Sequence, residues 1–536
     1  MLISLDNLQI GARFLQKLPS FLRHPLRLDE ARAILRGRLE RREADFLALV
    51  HGTIYANPAS PYRQLLAMAG CEYGDLERLV QTDGLEGALR HLLQLGVYLT
   101  VDEYKGRRPV RRGSVALSVD PGQLRNPWSA CHVPVRTGGS RSGQIPALID
   151  LAFVRDCAVN VLLWLEARGA LASAKAHWQF PQSGATARLL EYASFSPPVR
   201  WFSPIDPATP EMLPLYRLSA MALRWGSRLA GVPLPRPEYV PFADPLPIVR
   251  WMAQVLAAGG MPHLHTWPSY AVRLCQVAAG AGLDLTGAQF TVVGEPITEA
   301  RLAVVRRVGA RAWARYGSVE SGGIGYACLA PRVADEVHLL EDCLAVIQPG
   351  AEGEAHALPA AGLFMSSLRA TAPLVFLNVS LGDQATVDRR PCGCALHQLG
   401  WTTRLHTIRS YEKLTAGGVT FLDTDVIRVL EEVLPARFGG GPTDYQLVEE
   451  QDAEDGHPRL RLLVRPEIGP LDPELVASSF LDAIGPGEQG ERLMALRWRD
   501  AKLLRVDRQA PLTTPTGKIL HLHVTSRGSP GSATRP

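Results

Sequence analysis

Hydrophobic positions in the first hundred residues recur with helical spacing. In residues 27–52, leucine, alanine and phenylalanine are separated by charged residues at intervals that place them on one face of a helix. A second amphipathic region covers residues 62–98. From about residue 110, short apolar runs alternate with longer helical segments. Strands that alternate with helices of about ten or more residues predict an α/β fold with a largely parallel sheet.

Two later regions have different patterns. Residues 344–388 alternate apolar and polar positions between turn residues, which predicts a small antiparallel or β-barrel-like subdomain. Residues 410–525 contain a predicted helix, two paired strands and a second helix, so this part is predicted to be a small α+β domain. The last eleven residues are too poor in apolar groups to pack and are predicted to be a disordered tail. The predicted divisions are a helical N-terminal region at 1–110, a core at 111–408, a C-terminal domain at 409–525 and the tail at 526–536.

Composition narrows the class of protein. Of the 536 residues, 46% are hydrophobic and 21% are charged, which is typical of a globular enzyme. The net charge is only +4, and this argues against a dedicated nucleic-acid binder. No window offers about eighteen uncharged apolar residues, so we expect no membrane span. Eight scattered cysteines and the absence of a signal-peptide pattern predict a location in the reducing cytoplasm.

Three separated segments contain residues suited to nucleotide chemistry. Residues 136–143, RTGGSRSG, join a strand to a helix, where glycines and hydroxyls can bind phosphate oxygens or form a plain flexible loop. Residues 315–323, RYGSVESGG, combine a ring with a carboxylate that can hold Mg²⁺, or form an ordinary strand-end turn. Residues 511–520, PLTTPTGKIL, place Lys518 on a turn, where its ammonium is either solvated or a partner for phosphate.

Together these motifs resemble the adenylate-forming (acyl-CoA synthetase) superfamily. The resemblance is closest to the phenylacetate–CoA ligase-like branch and extends to the acyl-protein synthetases. It rests on six motifs that run through most of the chain: WPSYAVRLCQVAAGAGLDL (267–285), VVGEPITEARL (292–302), YGSVESGG (316–323), SLGDQATV (380–387), IRSYEKLTAGGVTF (408–421) and TPTGKIL (514–520).

The resemblance assigns roles to residues at the matching positions. It implies that Glu320 binds Mg²⁺ and that Lys518 is the catalytic lysine on a mobile C-terminal domain. It further implies that Asp383 binds the ribose and that the ring of Tyr316 stacks on adenine. The full set of implied nucleotide-binding residues is Thr137, Ser140, Ser142, Gly143, Gly294, Glu295, Pro296, Tyr316, Gly317, Ser318, Asp383 and Arg409.

The resemblance also implies the reaction. A carboxylic acid, aryl or fatty, would react with ATP to form an acyl-adenylate, and the acyl group would then pass to a thiol. Coenzyme A is the expected acceptor, and a carrier protein or a protein cysteine is the alternative. The phosphate loop carries Arg141 where the family has a small hydroxyl residue, and the hinge carries Tyr411 and Glu412 where it has two aspartates. These departures keep open a non-catalytic nucleotide-binding module.

Two cysteines stand one residue apart in DRRPCGCALHQ (388–398). By itself this pair fits a metal half-site, a redox pair or a tight turn. Some members of the branch that the chain resembles hold a structural zinc, and the resemblance implies four matching ligands here. Three thiolates with one imidazole suit tetrahedral Zn²⁺. The implied ligands are Cys328, His338, Cys392 and Cys394.

The acyl pocket is the least specific assignment. Aromatic residues concentrate between about 180 and 270, and related enzymes carry an aromatic residue or histidine near the end of this region. His265 and Tyr270 are therefore the candidate pocket residues, with packing in the core as the alternative for both.

Overall fold

A computed structural model describes most of the chain and divides it into two compact units. The first consists of Met1–Gly138, Gln144–Ile297 and Val305–Ile408, and the second of Gly139–Gly143, Thr298–Val304 and Arg409–Pro536. The described residues are 5–130, 133–136, 146–180, 183–207, 214–411, 415–416, 419–420, 423–451, 459–484, 504–514 and 517–526.

Helices cover the predicted amphipathic regions near the N-terminus and recur through both units. Their bounds are α1 (Leu5–Arg23), α2 (Leu28–Glu40), α3 (Arg42–Val50), α4 (Pro61–Met68), α5 (Tyr73–Gln94), α6 (Val101–Tyr104), α7 (Leu151–Ala167), α8 (Ser183–Ala193), α9 (Pro214–Leu229), α10 (Leu246–Ala257), α11 (Pro268–Gly280), α12 (Glu299–Arg307), α13 (Ala395–Gln398), α14 (Asp423–Arg428), α15 (Leu434–Phe438) and α16 (Pro473–Ile484).

The strands of the first unit are β1 (Val110–Arg112), β2 (Val115–Leu117), β3 (Val133–Arg136), β4 (Pro146–Ile149), β5 (Ala174–Trp178), β6 (Arg200–Ser203), β7 (Pro237–Tyr239), β8 (Pro262–Thr266), β9 (Gln289–Val293), β10 (Arg311–Ser318), β11 (Gly322–Ala327), β12 (Val337–Leu339), β13 (Leu344–Ile347), β14 (Gly362–Ser367), β15 (Val379–Asp388) and β16 (Arg404–Ser410). Those of the second are β17 (Thr415–Ala416), β18 (Val419–Thr420), β19 (Tyr445–Gln451), β20 (Arg459–Val464), β21 (Leu504–Arg508) and β22 (Leu522–Ser526).

One large sheet organises the first unit. Its strand order is β13-β14-β15-β16-β12-β11-β10-β9-β8-β5-β6-β7. The six strands from β7 to β10 pair in parallel. Beyond β10 the described pairings are antiparallel. The α/β class predicted from the alternating pattern is confirmed, and the antiparallel strands of 344–388 extend this sheet.

The central parallel strands β5, β8 and β9 are mostly buried, as in sheets that are covered on both faces. All five residues of β8 are buried. Helix α7 begins at Asp150, whose carboxylate accepts a hydrogen bond from the backbone N–H of Ala152 at 2.8 Å. This contact satisfies one of the free N–H groups at the helix start. Most of α7 is buried, and its Trp164 stacks on Tyr326 of β11.

The second unit has its own sheet and core. Strands are ordered β21-β20-β19-β22, with β19 and β20 antiparallel and the outer strands added in parallel. Helix α16 contributes Val476, Phe480 and Ile484 to a buried apolar cluster with residues from β19 and β20. The helices and paired strands predicted for this region are therefore present.

No helix of the described residues combines the length and the apolar character that crossing a membrane requires.

Candidate functional site

Two of the predicted nucleotide-binding side chains lie in direct contact. The hydroxyl of Tyr316, near the end of β10, donates to Oδ2 of Asp383 in β15 at 2.9 Å. The pairing of β10 with β11 shifts register between Tyr316 and Gly317. Such an irregularity turns neighbouring side chains away from the regular alternation of a strand. Two residues that are 67 positions apart in the sequence and have different predicted roles are therefore in direct contact.

Glu320 lies in the turn between β10 and β11. It is largely buried, with 8% of its surface exposed. Ser318 and Ser321 close the turn: their hydroxyls lie 2.9 Å apart, and the N–H of Ser321 donates to the Ser318 hydroxyl at 3.0 Å. Gly317 is required beside the turn because a Cβ there would lie 2.4 Å from the carbonyl oxygen of Gly322. The turn therefore carries one carboxylate shortly after Tyr316 in the sequence.

Tyr104 is a neighbour of Glu320 that the sequence did not indicate. Its hydroxyl lies 3.5 Å from Oε1 of Glu320. Burial, followed by the negative charge of Glu320, raises the pKa of Tyr104 well above its usual value. The phenol therefore stays protonated and donates to the carboxylate. Tyr104 is 216 positions from Glu320, so no local pattern connects them.

A buried ion pair holds the strand that carries Tyr316. Arg315 donates from both terminal nitrogens to Glu191 at 2.8 and 2.9 Å, and Arg188 donates to the same carboxylate at 2.8 Å. Burial acts to raise the pKa of Glu191, but the guanidinium groups of Arg188 and Arg315 lower it below its usual value. The carboxylate is therefore ionised and fixed by a two-point contact. Glu191 and Arg315 are a second feature that the sequence did not indicate.

The Gly-Glu-Pro segment, whose three residues are predicted to bind the nucleotide, begins with Gly294 at a φ of +83°, which favours glycine. The carboxylate of Glu295 accepts from the backbone N–H of Ser269 at 2.9 Å and from its hydroxyl at 2.8 Å. Ser269 is in the first turn of α11, where a negative charge is favourable. Glu295 thus anchors the start of α11, and Pro296 follows it at half-buried depth.

Four predicted phosphate-binding residues lie outside the described residues. They are Thr137, Ser140, Ser142 and Gly143. Arg409 and Lys518 belong to the second unit. Lys518 is in a tight turn in which its backbone N–H donates to the Thr514 hydroxyl at 3.1 Å and its carbonyl accepts from the Thr514 N–H at 2.9 Å. Gly517 has a φ of +85° in this turn.

The four predicted zinc ligands lie together in the first unit. Their ligand atoms, from Cys328, His338, Cys392 and Cys394, are all within 4.8 Å of one another. His338 Nε2 is 3.2 Å from the Cys394 sulfur and 3.5 Å from that of Cys392, and the two sulfurs are 3.4 Å apart. We call this group the Cys–His cluster. Three segments supply it: the end of β11, β12, and the loop after β15.

The chemistry of this cluster suits a metal ion. Nδ1 of His338 donates to the carbonyl oxygen of Trp401 at 2.6 Å, which leaves Nε2 as the acceptor that faces the thiols. An anchor of this kind is usual for metal-binding histidines. The hydrogen bond from Cys328 lowers the pKa of the Cys394 thiol, and the same contact raises the pKa of Cys328.

The two candidate pocket residues are both deep in the protein. His265 in β8 is fully buried and stacks on His177 of β5 with ring centroids 5.3 Å apart. Tyr270 in α11 is also buried, and its ring lies 4.5 Å from Trp178 and 4.9 Å from Trp267. These surroundings show how both residues pack; an acyl-binding role for either stays a prediction.

Comparison with known proteins identifies the fold. No protein-family model matches the chain, and no curated protein matches it. Solved structures do: a crystal structure of 2-hydroxyisobutyryl-CoA ligase in the postadenylation state, with the R3-HIB adenylate, is 15% identical, with a TM-score of 0.52. The match covers 93% of this chain and 90% of that one.

A second structure of that ligase, in complex with the 2-HIB adenylate, gives a TM-score of 0.51 at 15% identity over 93% of this chain and 90% of its own. The match therefore spans both units rather than an isolated segment. The chain has the fold of the adenylate-forming acyl-CoA ligases.

Proposed function

We propose that the protein activates a carboxylic acid with ATP and transfers the acyl group to a thiol. The observation that carries this proposal is the contact between Tyr316 and Asp383, with Glu320 in the adjoining turn. A ring, a carboxylate for ribose hydroxyls and a second carboxylate for a cation are the groups that an ATP site needs. Tyr316 and Glu320 come from β10 and the turn after it, whereas Asp383 comes from β15, and packing of the strands alone gives no reason for this combination.

Glu320 is the residue that would hold Mg²⁺. Its carboxylate is mostly buried, and the described residues place a neutral phenol rather than a cationic side chain against it. A buried carboxylate without a cationic partner is suited to a hard divalent ion. When bound, the ion neutralises charge on the polyphosphate and makes attack by a carboxylate easier. Tyr104 would hold Glu320 in place by its hydrogen bond.

Lys518 would stabilise the charge that develops when the substrate carboxylate attacks the α-phosphate of ATP. In this step the carboxylate oxygen forms a bond to phosphorus and pyrophosphate leaves with the electrons of the broken bond. A fixed ammonium is most effective where the negative charge grows. The turn closed by Thr514 supports this assignment, because its two hydrogen bonds fix the backbone of Lys518.

Pyrophosphate release with a panel of aryl and fatty acids tests the proposal. We expect at least one acid to stimulate release, and Lys518→Ala to lower the rate by about 100- to 1000-fold, as for loss of one transition-state donor. Lys17→Ala, which removes an exposed lysine of α1, is the matched control and should leave the rate unchanged. If no acid stimulates release while ATP still binds, the chain is a nucleotide-binding module instead.

The acceptor is the finer part of the proposal. Coenzyme A is the simplest thiol, and a carrier protein or a protein cysteine is the alternative. Incubation of the adenylate-forming mixture with free coenzyme A should yield an acyl thioester detectable by mass spectrometry. Thioester formation only with a carrier protein would assign the second half-reaction to a protein thiol.

We further propose that the Cys–His cluster binds a structural Zn²⁺. Three sulfur atoms and one imidazole nitrogen are a common ligand set for closed zinc sites. The ion would tie the loop after β15 to the β11–β12 hairpin, and thus the segment beyond Asp383 to the strand beyond Glu320. Metal analysis of the purified chain should give about one zinc per molecule, with less in Cys392→Ser.

A further inference from the structure

A small cavity lies inside the first unit, next to the turn that carries Glu320. Its volume is about 20 Å³, and it is lined on one side by Ser321 of the turn and Gly323 of β11. Its other lining residues include Asp156 and Asn160 of α7, Tyr326 of β11 and Arg369, which follows β14. A cavity of this size has room for one water molecule and for little more.

Three polar atoms in the walls lack a hydrogen-bond partner among the described residues. They are Oδ1 of Asn160, the hydroxyl of Tyr326 and Nε of Arg369, and all three atoms are buried. Asn160 and Tyr326 have no exposed surface. A buried polar atom without a partner costs about 1–3 kcal/mol. Three such atoms at a single cavity indicate a shared partner rather than three separate defects.

The orientation of Asn160 is fixed by its neighbours. Its amide nitrogen donates to the two oxygens of Asp342 at 3.0 and 3.2 Å. Exchange of the amide oxygen and nitrogen would place an oxygen against this carboxylate, so the exchange is excluded. Oδ1 is therefore the atom left over, and it requires a donor.

Packing explains the ring of Tyr326 but not its hydroxyl. Its ring stacks on Trp164 with centroids 4.7 Å apart, and the Arg315 guanidinium lies 5.3 Å from the ring centroid. Phenylalanine would make the same ring contacts. Burial raises the pKa of Tyr326 well above its usual value, so its hydroxyl keeps its proton and can donate. A Cβ on Gly323 would lie 2.9 Å from this hydroxyl.

The same lining excludes other occupants. A cation is disfavoured beside the Arg369 guanidinium, and the lining carboxylate of Asp156 is already paired with Arg38 at 2.7 Å and accepts from the Thr371 hydroxyl at 2.6 Å. An anion cannot donate to Oδ1 of Asn160. Two thiols line the cavity, but burial raises the pKa of Cys157 to about 12 and also raises that of Cys343. Both thiols are therefore protonated and poorly suited to binding a metal ion. Water alone supplies both donors and acceptors at this size.

We propose that the cavity binds one ordered water molecule that donates to Asn160 and accepts from Tyr326 and Arg369. The water bridges α7 and β11 beside Gly323, and so positions the turn that carries Glu320. The binding of water is independent of the proposed function, whereas its positioning role for Glu320 rests on that function.

A crystal structure at high resolution tests the first part. We expect one density peak within about 3.2 Å of all three polar atoms. An empty cavity would overturn the proposal. Crystals soaked in bromide provide the second arm: an anomalous peak in the cavity would assign the site to an anion and overturn it also. Neither arm depends on enzymatic activity.

The positioning role is tested with Tyr326→Phe, which removes only the hydroxyl. We expect the Mg²⁺ concentration for half-maximal pyrophosphate release to rise by about fivefold, the equivalent of one hydrogen bond of about 1 kcal/mol. Tyr445→Phe is the matched control, because it removes a hydroxyl that donates to the Gly439 carbonyl in the second unit. Equal Mg²⁺ dependence in both variants would overturn the positioning role. The presence of the water molecule is tested separately by the crystal structure.

Discussion

Two groups of buried histidines in the first unit have opposite surroundings. In the Cys–His cluster, His338 is anchored through Nδ1 on the Trp401 carbonyl, and its Nε2 faces the thiols. In the central sheet, His177 and His265 stack on each other, and neither nitrogen of His177 has a partner among the described residues. Burial alone therefore does not identify a ligand.

The difference lies in where the free electron pairs point. Donor atoms of the Cys–His cluster come within 4.8 Å of one another and leave space for a single ion. The imidazoles of the central sheet pack by their faces, beside Tyr192 at 5.1 Å from His177. Burial lowers the pKa of His177 to about 3 and those of His263 and His265 well below the usual value, so all three stay neutral.

The largest expected effect comes from replacing the anchored histidine. His338→Leu should abolish zinc binding and lower the free energy of unfolding by at least about 3 kcal/mol, since loss of a structural metal is among the most damaging changes. Metal analysis and denaturant unfolding measure the two quantities. Retention of full stability together with absence of metal from the unmodified protein would refute a structural zinc.

Acid should destabilise the first unit through the sheet histidines. The folded pKa of His177 is about 3 and its unfolded value is near 6.5, so the unfolded chain binds the extra proton between these limits. Its contribution is complete above about pH 6.5 and declines as the pH falls toward 3. The expected loss is roughly 2 kcal/mol from this group between pH 6.5 and 5.

The variant His177→Leu separates the contribution of this histidine to the pH dependence of stability from the effect of acid on the thiols of the Cys–His cluster. The slope of stability against pH between 6.5 and 5 should fall by about 1.4 kcal/mol per pH unit in the variant, measured by denaturant unfolding. The matched control is His24→Leu, which replaces an exposed histidine and should keep the original slope. An unchanged slope in His177→Leu would show that this histidine does not titrate as inferred.

The smallest effect is expected from the same His177→Leu variant at pH 7.5. Leucine has a similar volume and removes two buried nitrogens that lack partners, so the change in stability should stay within about 1.5 kcal/mol. Metal content should not change. A loss as large as that of His338→Leu would mean that His177 takes part in a polar network, and the contrast between the two groups would fail.

Prediction from the sequence worked best where a motif is short and continuous. The segment Tyr316–Glu320 was identified from adjacent residues, and the structure forms it into one strand end and turn. The spacing of apolar positions likewise indicated the helices and the α/β class. These features depend on neighbours three or four positions apart, whose geometry the chain itself fixes.

Features that depend on distant segments were not accessible in this way. Tyr104 beside Glu320, the Glu191–Arg315 ion pair and the cavity at Asn160 join residues more than a hundred positions apart. Their local sequences have no distinctive pattern. Similarly, residue type alone does not distinguish His265 from His338 as a metal ligand. Only their surroundings in the folded protein distinguish them.

By itself the sequence determined the order of helices and strands, the candidate ATP motifs and the four candidate zinc ligands. Only the tertiary structure decided that Tyr316 meets Asp383, that the four ligands gather at one point, and that a polar cavity lies beside the Glu320 turn. The physical reason is that period and turn chemistry act over a few residues, whereas a binding site requires atoms brought together by the packing of a whole sheet.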